Sequence, residues 1–381
     1  MNDKQDLQTV AVNYGVASNK EFGAIIPPLY LSSTYEMEEF GKKGAYDYGR
    51  SGNPNRSLLA EALAKLEGGA RSVITSSGMA AVDLVLALLE PGDMVVAPHD
   101  CYGGTYRLLS ARAAKKHIDV TFINFYEDHF ESRLPKSIKL FLIETPTNPL
   151  LRLIDIAKIS GLAKRYGAWL AVDNTFLSPA LQRPLSFGAD FAIHSTTKLI
   201  NGHSDVVGGA VICADAAHHE KLLWWANCTG VTGSPFDSYL TLRGLRTLHV
   251  RANQQQATAS FLAGQISEKN LAKIYYPGLT SHADHALMLR QQQGPGFMLS
   301  FEMAGGISAV KKFLKKLHII KLAQSLGGTE SLICHPATMT HAAMPEAVRH
   351  QAGITDGLLR LSVGLEAPQD LLQDLLAGFS E

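Results

Sequence analysis

Charge is scarce in this 381-residue chain. Asp, Glu, Lys and Arg make up 18% of it, below the roughly 25% usual in globular proteins. The 35 basic and 35 acidic residues cancel, so no net field draws the chain to nucleic acid or to an anionic membrane. Cysteine is sparse as well. Cys101, Cys213, Cys228 and Cys334 show neither CxxC nor Cys/His spacing, so no metal site is expected and nothing requires a disulfide framework. No apolar run reaches the roughly 18 residues of a membrane span. The best, Ala80 to Leu89, is interrupted by Asp83 and closed by Glu90-Pro91-Gly92. The start, Met1-Asn2-Asp3-Lys4-Gln5-Asp6, is polar and carries acids, unlike a secretory signal. A reducing, cytoplasmic setting is the expectation.

Common catalytic motifs are missing too. No GxGxxG follows a strand, and GxxxxGK[ST] and GxSxG do not occur, which excludes the dinucleotide fingerprint, the Walker loop and the hydrolase elbow. His218-His219-Glu220 is not HExxH, because Leu223 takes the place of the second histidine. Ser195-Thr196-Thr197-Lys198 fits the SxxK of serine acyl enzymes, but Ser204-Asp205 is followed by Val206 and KTG is missing.

What the chain does hold is order in three stretches. Residues 1–55 carry turn formers (Pro27-Pro28, Gly49, Gly52, Asn53-Pro54) and several tyrosines but little periodicity. They are expected to form an extended arm that docks on a neighbouring subunit. From residue 56 to 248, short β-branched runs alternate with helical stretches. Strands are expected at 72–75, 94–97, 120–124, 140–144, 169–172, 191–193 and 209–212, with helices such as 78–89 and 154–166. This pattern predicts an α/β fold with a mostly parallel, seven-stranded, doubly wound sheet, whose ligands bind at the carboxyl ends of the strands. Residues 249–381 read as a smaller C-terminal α+β domain. A long polar helix begins near Arg246, strands lie at 297–301 and 358–363, and an amphipathic helix at 368–376 closes the chain.

Chemistry-bearing residues fall at those strand ends. Lys198 follows the strand 191–193 and offers an amine for a Schiff base with a carbonyl cofactor. Asp173 follows 169–172 and offers an acid for a protonated pyridine nitrogen. Ser76-Ser77-Gly78-Met79 joins a strand to a helix N-terminus, an arrangement suited to phosphate. Tyr102 offers a ring face, and Asn148 sits in Thr145-Pro146-Thr147-Asn148-Pro149 after the strand 140–144. Arg360, inside an apolar strand, needs a carboxylate partner. Each has an ordinary alternative: an exposed lysine, a helix cap, a serine N-cap, a core tyrosine, a turn former, a structural ion pair. Jointly they form the set that pyridoxal 5'-phosphate requires.

Three long segments carry a resemblance: Ala97 to Gly104 (APHDCYGG), Val172 to Leu181 (VDNTFLSPAL), and Gly230-Val231-Thr232-Gly233 leading into Phe236 to Tyr239. On these the chain resembles the Cys/Met-metabolism branch of pyridoxal-phosphate enzymes, over nearly its whole length. The resemblance implies the aspartate-aminotransferase-like fold (fold type I) and a homotetramer built from two active dimers. It implies that Lys198 carries the cofactor and moves protons, that Asp173 pairs the ring nitrogen and that Tyr102 stacks on the ring. Gly78, Met79, Ser195 and Thr197 are then the phosphate ligands, with Tyr48 and Arg50 reaching the neighbouring subunit's phosphate. Arg360, Asn148 and Ser325 are implied to hold the substrate α-carboxylate, and Arg107 a distal acyl carboxylate. The implied reaction is replacement at Cγ of an O-acylated homoserine by cysteine, with γ-lyase chemistry as the alternative. One departure stands out. Gln324 precedes Ser325-Leu326-Gly327-Gly328 where synthase and lyase members commonly carry an acid, and a neutral amide attracts no substrate ammonium.

Overall fold

The computed structural model describes residues 5–267, 269 and 271–380. Seven strands form the larger sheet: β1 (Arg71–Thr75), β2 (Met94–Pro98), β3 (Asp119–Ile123), β4 (Leu140–Glu144), β5 (Trp169–Asp173), β6 (Phe191–His194) and β7 (Gly209–Cys213), in the order β1-β7-β6-β5-β4-β2-β3. All neighbours are parallel except β7, which runs antiparallel to both β1 and β6. From β2 the chain winds outward to β3, then returns to lay β4 on the other side of β2 and winds the opposite way through β5 and β6. The winding reverses between β2 and β4, and such a reversal opens a crevice at the carboxyl ends. The β2–β4 ladder pairs only Val95 with Leu140 and Val96 with Phe141, so the strand ends diverge there.

Strand alternation sorts the side chains by face. Leu140 and Leu142 pack in the cluster that holds Ala81, Val82 and Val85 of the helix Gly78–Leu86. Phe141 and Ile143 pack with Ile156, Ile159 and Leu162 of the helix Ile156–Tyr166. By the same period, Glu144 and Asp173 project to the face that carries the helix Gly78–Leu86.

Helix ends follow local chemistry. The helix Gly78–Leu86 is capped by Ser77, whose hydroxyl accepts from Ala80 N–H at 3.1 Å. It stops three residues short of the expected end because Leu88 and Leu89 switch to bonds with the carbonyls three residues back, ahead of Pro91-Gly92. The helix expected from 154 begins at Ile156. Asp155 caps it through Lys158 N–H, and the Ile154 N–H is taken by Thr145 Oγ1 at 3.0 Å. The polar helix expected from Arg246 runs from Leu248 to Ile266, and a separate helix, Pro235–Leu245, precedes it.

The second sheet has the order β10-β11-β12-β9-β8, built from β8 (Leu271–Tyr275), β9 (Met298–Met303), β10 (Lys321–Leu322), β11 (Leu332–Cys334) and β12 (Leu358–Ser362). Leu359 and Leu361 of β12 join a core with the helices Leu248–Ile266, Gly306–Lys315 and Pro368–Phe379. Arg360, between them, points to the other face.

The N-terminal stretch departs from a bare arm. Leu7–Asn13 is a helix, capped by Asp6 through Gln8 N–H at 2.8 Å, and it buries Val10 and Ala11 in the cluster formed by Leu59, Leu63 and Leu66. From there to Asn53 no α-helix or β-strand forms, and Phe22, Ile25, Leu31 and Phe40 are exposed. No helix among the described residues is long and apolar enough to cross a membrane.

Candidate active site

A cavity of about 410 Å³ opens where the ends of β4, β5 and β6 meet the second sheet. Gly78, Met79, Tyr102, Asn148, Asp173, Ser195, Thr197, Lys198, Ser325 and Arg360 all line it. These residues come from seven separate parts of the chain, so the fold alone brings them together.

Lys198 lies in the turn after β6. Its Nζ donates to Ser325 Oγ at 2.7 Å. Burial, and secondarily the positive charge of Arg360, lower its pKa from 10.5 to about 8. No carboxylate pairs with it among the described residues. The loop that carries Ser325 is pressed against this turn: a Cβ on Gly327 would lie 2.6 Å from Leu199 N. Ser325 itself has φ +93°, a conformation unusual for a residue with a side chain.

Arg360 is fully enclosed. Its Nη1 donates to Asn148 Oδ1 at 2.7 Å and its Nη2 to the Ser325 carbonyl at 3.0 Å. Its Nε, also buried, has no partner among the described residues. A buried guanidinium with no carboxylate beside it suits a ligand carboxylate.

Asp173 ends β5 and accepts from Thr175 N–H at 3.0 Å. Burial raises its pKa, against the opposing pull of Thr175 and of His194. Glu144 stands directly across the ladder from it. Burial, then the charge of Asp173, raises the Glu144 pKa well above the usual range. On the other face of β6, buried His194 Nε2 meets Glu67 Oε1 at 2.6 Å.

The first turn of the helix Gly78–Leu86 faces Ser195. The Gly78 and Met79 N–H groups make no hydrogen bond among the described residues. A Cβ on Gly78 would sit 2.6 Å from Ser195 Cβ, so only glycine lets helix and strand approach this closely. Two free amides at a helix start, beside the hydroxyls of Ser195 and Thr197, form a cradle of phosphate size and polarity. The Tyr102 ring lies over Gly104, whose absent Cβ would be 2.5 Å from the ring. With Lys198 for an aldehyde and Asp173 for a protonated ring nitrogen, the residues present fit pyridoxal 5'-phosphate.

Three residues named from the sequence are elsewhere. Tyr48 and Arg50 lie outside the cavity, where Arg50 Nη1 donates to the Asn227 carbonyl at 2.9 Å. Arg107, on the helix Gly103–Ala114, is exposed and does not line the cavity. Conversely, Glu144, Thr175, Phe176, Val207 and Thr340 line it without having been named as site residues. Glu144 and Thr175 could have been found as polar residues at strand ends. Val207 and Thr340 carry no chemical signal. Gln324 also faces the cavity.

The family model "Cys/Met metabolism PLP-dependent enzyme" matches residues 8–380. The chain is 49% identical to cystathionine gamma-synthase of Escherichia coli over 374 residues, 97% of each chain. It is 42% identical to cystathionine gamma-lyase of Bacillus subtilis over 373 residues, again 97% of each. Among solved structures, cystathionine gamma synthase from Xanthomonas oryzae pv. oryzae in complex with cystathionine superposes with a TM-score of 0.97, at 54% identity and covering 98% of each chain. The chain therefore belongs to the Cys/Met-metabolism family of pyridoxal-phosphate-dependent enzymes and has the fold type I architecture.

Proposed function

We propose that this enzyme is a cystathionine γ-synthase, joining cysteine to Cγ of an O-acylated homoserine and releasing the acyl carboxylate. The observation that carries the reading is one cavity holding an amine of lowered basicity, a buried acid and a guanidinium without a carboxylate partner. Near-full-length similarity to two synthases supports it.

When bound, pyridoxal 5'-phosphate supplies an aldehyde that condenses with amines and a ring that takes up the electron pair released at Cα. Gly78, Met79, Ser195 and Thr197 would hold its phosphate, Tyr102 a face of its ring and Asp173 the ring nitrogen. Arg360, aimed by Asn148 and Ser325, binds the substrate α-carboxylate and so orients the Cα–H bond. Lys198 Nζ, neutral in about half the molecules near pH 8, takes the proton from Cα. Loss of a Cβ proton then lets the acyl carboxylate leave Cγ, and cysteine thiolate adds at that carbon. The two protons return to Cβ and Cα. Without thiol, the same bound fragment adds water and leaves as 2-oxobutyrate and ammonia.

Tyr48 and Arg50 serve the neighbouring subunit's phosphate in this reading, and the exposed apolar residues of the 14–53 segment cover that neighbour. The assembly is a homotetramer of two such dimers, acting in the cytoplasm. Arg107 reads a distal acyl carboxylate such as succinyl. The γ-lyase alternative draws on the 42% identity to the Bacillus subtilis enzyme.

Steady-state rates with O-succinyl-, O-acetyl- and O-phosphohomoserine, each with and without cysteine, test the reading. Cystathionine as main product from an acylated donor is expected. Efficient 2-oxobutyrate release from cystathionine, with no synthesis, replaces the reading with the lyase.

A further inference from the structure

Glu144 occupies the point where the winding of the large sheet reverses, and the loops after β2 and β4 leave in opposite directions from its two sides. One carboxylate oxygen accepts the Tyr102 N–H at 2.9 Å, from the loop after β2. The other accepts the Asn148 N–H at 2.9 Å, from the loop after β4. Tyr102 starts the helix Gly103–Ala114 with its ring at the cavity. Asn148 in turn holds Arg360 Nη1 at 2.7 Å. One side chain thus ties the ring face of the cavity to its guanidinium.

The choice of residue is informative. Glu144 is buried, and its only hydrogen-bond partners among the described residues are the two backbone amides. It stands in register with a second acid, Asp173, so its charge opposes a neighbour of the same sign. A glutamine of the same size avoids that repulsion, but its NH2 group cannot accept, and one of the two N–H groups would be left unpaired and buried. Only a carboxylate of this length satisfies both.

We propose that Glu144 is a positioning residue of the reaction: its single carboxylate sets Tyr102 and the Asn148–Arg360 pair in one geometry, at the expense of a like charge beside Asp173. The inference rests on the cofactor reading given above. The groups facing the pair are few. Asp100 and Cys101 approach Glu144 from the loop after β2, His194 acts on Asp173 electrostatically from the opposite face of β6, and the cations of the cavity are Lys198 and Arg360.

Two full-length variants separate geometry from charge. Glu144→Gln removes the charge and one acceptor; Glu144→Asp keeps both but shortens the reach. The dissociation constant of pyridoxal 5'-phosphate, measured by equilibrium dialysis between pH 6 and pH 9, is the readout. Both variants are expected to weaken cofactor binding on the order of tenfold at pH 8, the scale of one lost charge-assisted hydrogen bond. The deficit of Glu144→Gln then shrinks as pH falls, because Asp173 without a charged neighbour ionises at lower pH, whereas that of Glu144→Asp stays constant. Equal deficits in both variants at every pH, or none, overturn the proposal. Should a variant not fold, hydrogen exchange of the wild-type chain decides. Slow exchange of the Tyr102 and Asn148 amides, with or without cofactor, supports the tie, and fast exchange of either one overturns it. Wild-type protein that takes up no cofactor defeats the cofactor reading instead, and the two failures are distinct.

Discussion

The basicity of Lys198 is the most consequential number in the site. Its amine donates to Ser325 Oγ at 2.7 Å, a bond that favours the charged form, yet burial and the nearby Arg360 prevail and bring the pKa to about 8. Relative to 10.5, that is about 3 kcal/mol of discrimination against the ammonium. At pH 8 roughly half the molecules carry a neutral amine, against roughly 0.3% for an unperturbed lysine. The shift also makes stability depend on pH with a defined sign. Between pH 8 and pH 10.5 the unfolded chain holds more protons at this residue than the folded one. The Lys198 contribution to stability therefore rises with pH across that window. Below pH 8 both states are protonated, and the penalty for holding the ammonium in the fold is fully present. Reductive methylation of the cofactor-free chain with ¹³C-formaldehyde, followed by NMR titration, reads the midpoint directly, with Lys198→Arg identifying the resonance. A midpoint near 8, set apart from the surface lysines, is expected. A Lys198 midpoint above about 10 refutes the reasoning.

Other perturbations follow from single contacts. Ser325→Ala and Ser325→Gly both delete the bond to Nζ and lower the Lys198 midpoint further. Only glycine also relieves the +93° backbone, so thermal unfolding should find Ser325→Gly the more stable of the two by about 1 kcal/mol. Gly78→Ala drives a methyl into Ser195, and dialysis should show cofactor binding weakened at least roughly tenfold, with about 1–3 kcal/mol of stability lost. Arg107→Ala should lower kcat/KM roughly tenfold or more for O-succinylhomoserine and little for O-acetylhomoserine, since only the former brings the extra charge. Equal losses on both donors remove Arg107 from that role.

Much of the larger sheet was legible because buried parallel strands read as short β-branched runs. All seven lie where they were expected, to within one residue at their ends. β7 enters antiparallel, which no periodicity reveals. The cavity was legible where its chemistry is local: Lys198, Asp173 and the Ser77-Gly78-Met79 turn each sit at the end of a strand that feeds them. Glu144 was not, since its importance comes from register with Asp173 and from amides donated by two other segments. The helix Leu7–Asn13 was missed because it is short and contains the β-branched residues Thr9, Val10 and Val12, which are weak helix formers. Packing on Leu59 and Leu63 is what holds it. Tyr48, Arg50 and Arg107 do not line the cavity of their own chain.

The central claim is that one particular amine meets the cofactor aldehyde. Reducing the holoenzyme with borohydride and mapping the modified lysine by peptide mass spectrometry tests it most directly. The account expects the pyridoxyl group on Lys198 alone, with Lys198→Ala unlabelled and inactive. Label on another lysine, or full turnover by Lys198→Ala, contradicts it.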